Sequence, residues 1–270
     1  MWWQFLLALA TFFNPLRGPT DNAFDISVDP DEYVPTAWGP RNWSDADAAM
    51  QAIHGEGDDM RFVDDDHRNA AIKDERYRWP KYRGKAIVYY KIDKSLSDQR
   101  ALIKEAMEQY HKHTCIRFVE GSGRGDYILI KRDEGCYSYV GKIGGEQIVS
   151  LGYGCDFVGT IVHELGHALC LFHTHQRSDR DEYIRVYIQN VVDGQQHNFL
   201  KTNPQKEIML DKHNYNWNSI MHYGEYAFSK QPGLLKTMES KNPRHHLREP
   251  YDKPGLHAED IKLINYVYKC

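Results

Sequence analysis

His163-Glu164-Leu165-Gly166-His167-Ala168-Leu169-Cys170-Leu171-Phe172-His173 is the stretch on which the fold turns. His163 and His167 stand four residues apart, one helical turn, so both imidazoles project from one face and can share a metal ion. Glu164 stands beside them, where a carboxylate can take a proton from water and return it. His173 offers a third nitrogen, the number of protein ligands a catalytic zinc takes while keeping one position open. On a continued helix His173 would lie about 9 Å beyond His167 along the axis and on another side. The helix, expected over Thr160–Leu169 on apolar Ile161, Val162, Leu165, Ala168 and Leu169, therefore has to stop between them.

The chain here resembles the metzincins, whose motif is His-Glu-x-x-His-x-x-Gly-x-x-His, and matches every fixed position except the glycine, replaced by Cys170. Glycine ends such a helix in a left-handed conformation, where a Cβ costs roughly 1–2 kcal/mol. Structural zinc sites gain about 10–16 kcal/mol from the metal in small peptides, so the strain is tolerable and His173 is expected to remain a ligand. Downstream, Arg177, Asp179, Arg180 and Asp181 match the Arg-x-Asp-Arg-Asp continuation of the astacins. Thr174 departs from their usual glutamate, which helps anchor the mature N-terminus.

Ser219-Ile220-Met221-His222-Tyr223 resembles the Met-turn of the same family. The resemblance implies that Met221 floors the zinc, and that Tyr223 is a further ligand at rest which swings to stabilise the oxyanion during reaction. Five cysteines in an exported chain suggest two disulfides and one thiol left over. The astacin pattern implies the pairs Cys115–Cys270 and Cys136–Cys155, with Cys170 the odd thiol. The other histidines after Arg68 (His111, His113, His175, His197, His213, His257 and the pair His245-His246) read as surface residues, and His222 sits in the Met-turn without an assigned ligand role.

Outward from the motif, Ala86–Tyr90 is β-branched and aromatic and reads as a strand. Ser95 is the expected N-cap of a helix carrying Ala101, Ile103, Ala106, Met107 and Tyr110. Cys115–Val119, Tyr127–Ile130 and Gln147–Leu151 are expected as strands between Gly-rich turns, and Ala258–Tyr268 as a closing helix. This is an α+β pattern, a mixed twisted sheet plus a zinc-binding helix. The resemblance adds a metzincin-type arrangement of two lobes around a cleft, with an extended polypeptide substrate paired antiparallel to an exposed strand near Gln147–Leu151.

The beginning of the chain has another character. Trp2 to Phe13 is an almost unbroken apolar run, too short to span a bilayer and of the length of a signal peptide's apolar region. Residues 21–68 carry thirteen Asp or Glu against Arg41, Arg61 and Arg68, whereas residues 69–270 hold 25 acids and 30 Lys or Arg. An acidic, weakly periodic lead of this kind suits a basic partner surface, which the rest of the chain can supply. The net charge of −4, without a basic cluster, argues against nucleic acid.

Gly55-Glu56-Gly57-Asp58 resembles the Glu-Gly-Asp motif of astacin prosegments, which implies that Asp58 reaches the zinc and keeps the enzyme latent. The absence of a dibasic pair before Arg68 points to a trypsin-like activator cutting there, and Asn42-Trp43-Ser44 is a glycosylation sequon. The expected organisation is a signal peptide over 1–18, an acidic inhibitory prosegment over 19–68 and a catalytic domain over 69–270. The function implied is that of a secreted zinc endopeptidase made as a zymogen. The alternative is a secreted zinc-containing binding protein whose catalysis is impaired by Cys170.

Overall fold

Alternation in Lys85–Ile92 sets the first long strand, burying Ala86, Val88 and Tyr90 on one face. The computed structural model describes residues 43–51, 59–63, 74–204 and 215–270. Asn42, Asp58, Arg68 and the apolar run from Trp2 to Phe13 lie outside these. The strand, β3, pairs in parallel with β4 (Ile116–Glu120; Ala86 opposite Ile116) and with β5 (Tyr127–Lys131; Tyr90 opposite Ile128). The short β2 (Lys81–Tyr82) runs antiparallel to its start. β5 pairs in parallel with β7 (Glu146–Leu151; Leu129 opposite Ile148), and β7 pairs antiparallel with β6 (Cys136–Tyr139; Ser138 opposite Val149).

Gln147–Leu151, expected as the exposed strand, is therefore interior: β5 and β6 take up both its edges. The edge is β6, and along it lies β1 (Met60–Arg61), in parallel, with Met60 opposite Ser138. Backbone donors of the edge are satisfied from this segment: Ser138 N donates to Asp59 O (2.9 Å) and Val140 N to Arg61 O (3.1 Å).

Two helices cover the sheet. α2 (Arg100–His113) buries Leu102, Ile103, Ala106, Met107 and Tyr110, spaced to form one face. Its approach differs from expectation: Ser95 does not cap it, Gln99 stands at the N-cap without a side-chain bond, and a 3₁₀ stretch over Lys94–Gln99, itself capped by the Asp93 carboxylate accepting from Ser95 N at 2.9 Å, precedes the helix. α3 (Val158–Ala168) is buried on all sides from Gly159 to Ala168, so it is a central helix and not a surface one. The Tyr110 hydroxyl donates to Val162 O at 2.6 Å and ties α2 to α3. Trp79 Nε1 donates to Ala168 O at 2.8 Å at the last turn of α3.

Beyond His173 the chain is mostly loop, with a two-stranded ribbon of β8 (Ile184–Val186) and β9 (Met238–Ser240) and the closing helix α4 (Ala258–Val267). A capping box opens α4: His257 accepts from Glu259 N and Asp260 accepts from His257 N. Cys115 is bonded to Cys270 and Cys136 to Cys155, leaving the buried Cys170 as the free thiol. Ahead of the sheet, α1 (Trp43–Gln51) buries Ala46, Ala49 and Met50.

Candidate metal centre and active site

α3 carries His163, Glu164 and His167 into the interior, where all three side chains are fully enclosed. A buried imidazole needs a partner at each nitrogen. His163 Nδ1 faces Ile220 O at 2.8 Å and His167 Nδ1 faces Leu171 O at 2.7 Å. Each carbonyl accepts the Nδ1 proton, which fixes the tautomer and leaves Nε2 able to hold a metal. The two Nε2 atoms lie 3.0 Å apart.

His173 joins them because α3 stops where the sequence requires. Leu171 N donates to Gly166 O (3.0 Å) and Cys170 N to His167 O (2.9 Å), the paired bonds of a Schellman ending. Cys170 occupies the left-handed position with φ 71°, the role that glycine fills without strain. Its buried thiol donates to Tyr77 O at 3.0 Å, and burial pushes its pKa up to about 12. The chain then turns back, and the His173 ring comes to 5.3 Å from that of His163 and 4.8 Å from that of His167.

The turn containing Met221 sits beneath. A Cβ on Gly166 would lie 2.7 Å from Met221 Sδ, so glycine at this helix position lets the methionine approach the backbone. Met221 O accepts from Thr174 N at 2.9 Å, which fixes the residue after the third histidine. The Tyr223 ring packs 4.4 Å from His173 and is buried.

His175, expected at the surface, is fully enclosed, stacked on Tyr223 (4.8 Å) and on His173 (5.1 Å), with Nε2 facing Asn198 O at 3.1 Å. Nothing in its spacing distinguishes it from a solvent-facing histidine. The charged run beyond holds this loop: Arg177 grips Asp179 with two nitrogens and Arg180 donates to His175 O at 3.0 Å.

A carboxylate meets the three histidines. Asp58, the residue expected there, lies outside the described residues; the carboxylate in place is that of its neighbour Asp59. Asp59 Oδ2 lies 2.9 Å from His163 Nε2, and Oδ1 lies 2.8 Å from His173 Nε2 and 3.3 Å from His167 Nε2. Burial alone would raise the carboxyl pKa, but positive charge on His173, His167 and His163, where they are protonated, holds it well below the usual range. Asp59 precedes β1 directly, so the pairing of β1 with β6 sets its place.

The four donors suit one small divalent cation. Their ligand atoms all lie within 4.8 Å of one another, and three nitrogens with one carboxylate oxygen are a donor set that zinc accepts. Burial pushes the His163 pKa down to about 4, which keeps the imidazole in the neutral form that binds metal. Glu164 is on the same helix, adjacent to a ligand and itself outside the donor group.

Known proteins share this arrangement of sequence and fold. Residues 71–269 match the model of the Astacin peptidase family. The chain is 38% identical over 226 residues to "Astacin-like metalloprotease toxin 1" of Loxosceles intermedia, covering 82% of each chain. It is 39% identical over 233 residues to "Zinc metalloproteinase nas-4" of Caenorhabditis elegans, covering 85% of this chain and 70% of that one. Among solved structures it resembles high choriolytic enzyme 1, a hatching enzyme zinc-protease from Oryzias latipes, with a TM-score of 0.65 and 35% identity over 73% of this chain and 96% of that one.

Proposed function

We propose that this chain, which belongs to the astacin family and is a zinc endopeptidase, is exported as a latent precursor that cuts extended polypeptides outside the cell once residues 1–68 are removed. The observation that carries the reading is Asp59: its carboxylate, enclosed and within 3.3 Å of three histidine nitrogens, takes the place that water and a scissile carbonyl need.

Support for export comes from the apolar run of Trp2 to Phe13 and from two disulfides, which belong to oxidising compartments. We place the leader over 1–18, the latency segment over 19–68 with Asn42 as its glycosylation site, and the catalytic domain over 69–270. Arg68 is the cut for a trypsin-like activator. Latency draws on more than one contact. α1 lies so close to Gly154 that a Cβ there would collide with Asp45 O, and the Tyr251 hydroxyl donates to Asp47 at 2.5 Å.

In the trimmed enzyme, zinc held by His163, His167 and His173 supplies polarisation of the scissile carbonyl and a lowered pKa for water. Glu164 takes the proton of the attacking water and hands it to the leaving amine. The Tyr223 hydroxyl donates to the developing oxyanion. With β1 gone, Ser138 N on β6 and Val140 N just after it become free donors for a substrate strand running antiparallel to β6. β1 runs the other way, so the latency segment presents a side chain to the centre and not a peptide bond.

The reading of a binding protein disabled by Cys170 finds no support in the geometry, since Cys170 adopts the required φ and His173 still converges.

Secretion of the full chain from eukaryotic cells tests the proposal. The medium should contain inactive protein that begins near residue 19. Trypsin should expose Asn69 and release casein hydrolysis, and Asp59→Ala precursor should hydrolyse casein untreated, more slowly than the trimmed enzyme because β1 still lies along β6. Retention in the cell, or full activity without trimming, would overturn it.

A further inference from the structure

Away from the histidines, the described residues bury a second group of ionisable side chains, all directed at one turn. Lys253 is 3% exposed, and its Nζ donates to Ser219 O at 2.8 Å and to His222 O at 2.5 Å. Asp260 accepts from the Ser219 hydroxyl at 2.6 Å and from Ile220 N at 2.9 Å. Glu249 accepts from Gly224 N, and a Cβ on Gly224 would lie 2.6 Å from its Oε1. Burial lowers the Lys253 pKa, opposed by the carboxylates of Glu249 and Asp260.

The turn so gripped connects to the centre at three places. Ile220, held by its N–H on Asp260, presents its carbonyl to His163 Nδ1 at 2.8 Å. Met221 packs on Gly166. Tyr223, between the gripped His222 carbonyl and the gripped Gly224 amide, lays its ring against His173. An ammonium that bridges the carbonyls of Ser219 and His222 spans the backbone on which both Ile220 and Met221 sit.

We propose that Lys253 is a positioning residue for catalysis, which, with Asp260 and Glu249, fixes the backbone of Ser219–Gly224 so that Ile220 O orients His163 and the Tyr223 hydroxyl meets the oxyanion. The part that concerns Tyr223 rests on the role given to that residue above. Outer partners of metal-ligating histidines affect affinity or activity by about 10–100-fold when removed, so an effect of that size is expected.

The experiment uses the trimmed, zinc-loaded enzyme at a temperature where circular dichroism shows every variant folded. It compares wild type, Lys253→Met, Tyr223→Phe and the double variant on a peptide substrate, with the zinc dissociation constant of each measured by chelator competition. Lys253→Met should lower kcat by about 10–100-fold while KM moves less than about threefold, and should weaken zinc binding about tenfold through His163. In the Tyr223→Phe background the same change should cost little further kcat, because the hydroxyl it positions is already gone. Unchanged kcat and zinc affinity in folded Lys253→Met, or kcat losses that multiply in the double variant, would overturn the proposal. If Lys253→Met does not fold, Lys253→Gln, which lacks the ammonium that bridges the two carbonyls, carries the same test by the same criteria. If Tyr223→Phe leaves kcat unchanged, the role of Tyr223 fails and the zinc dissociation constant alone decides for or against Lys253.

Discussion

The thiol of Cys170 donates to the carbonyl of Tyr77 at 3.0 Å, from a residue held at φ 71°. The two features oppose each other: the left-handed backbone is strained by a Cβ, while the buried sulfur gains packing and a hydrogen bond at the end of the zinc helix. Cys170→Gly removes the strain and loses the sulfur, so its stability should stay near wild type. Cys170→Ala keeps the strain and loses the thiol, and should be less stable than Cys170→Gly by about 1–2 kcal/mol in urea denaturation. The reverse order would show that the left-handed turn is not what glycine relieves.

Loop length ranks the two disulfides. Cys115–Cys270 closes a separation of 155 residues and Cys136–Cys155 one of 19. Chain entropy alone makes the first worth about 5 kcal/mol and the second about 3 kcal/mol. Replacing Cys115 and Cys270 by alanine should therefore lower the urea midpoint further than replacing Cys136 and Cys155. Equal losses would mean that native packing, not loop closure, dominates.

Acid should weaken the fold through the histidine behind the centre. Burial pushes His222 from 6.5 down to about 3, so the folded chain binds this proton more weakly than the unfolded chain. Its contribution is complete above about pH 6.5 and is lost progressively as pH falls from there toward about 3. Between pH 7 and pH 5 the wild type should lose about 2 kcal/mol more than His222→Gln, as read from urea unfolding at both values. Parallel losses would mean that His222 is not a source of the acid sensitivity.

The sequence reading and the structure part company at Asp58 and Asp59. The Glu56-Gly57-Asp58 triplet points to Asp58, whereas the register of Met60 against Ser138 goes with the carboxylate of the next residue, Asp59, facing the histidines. Precursor carrying Asp59→Ala should show casein hydrolysis before trimming, whereas Asp58→Ala precursor should stay silent. Activity confined to the Asp58 variant would contradict the placement.

Other features are legible in the sequence for plain physical reasons. The need to bring His173 beside His167 foretells the break at Cys170, because helix geometry leaves no alternative. β-Branched and aromatic content foretells the strand around Val88, and regular apolar spacing foretells α2. The edge strand Cys136–Tyr139 is not legible, being four residues long and set among glycines, and with it goes the edge open to a substrate strand. The inward turn of His175 and the grip of Lys253 on the Ser219 and His222 carbonyls depend on contacts remote in sequence, which local pattern does not encode.

Glu164 is the group proposed to move the proton in this zinc endopeptidase. The most direct measurement is hydrolysis of casein by the chain trimmed after Arg68, beside Glu164→Ala, with bound zinc counted in both. One zinc per chain is expected in each protein, with a rate for Glu164→Ala lower by at least about 10²-fold, the low end for a positioned proton-transfer group. Zinc-loaded Glu164→Ala that cleaves as fast as the wild type would contradict that role.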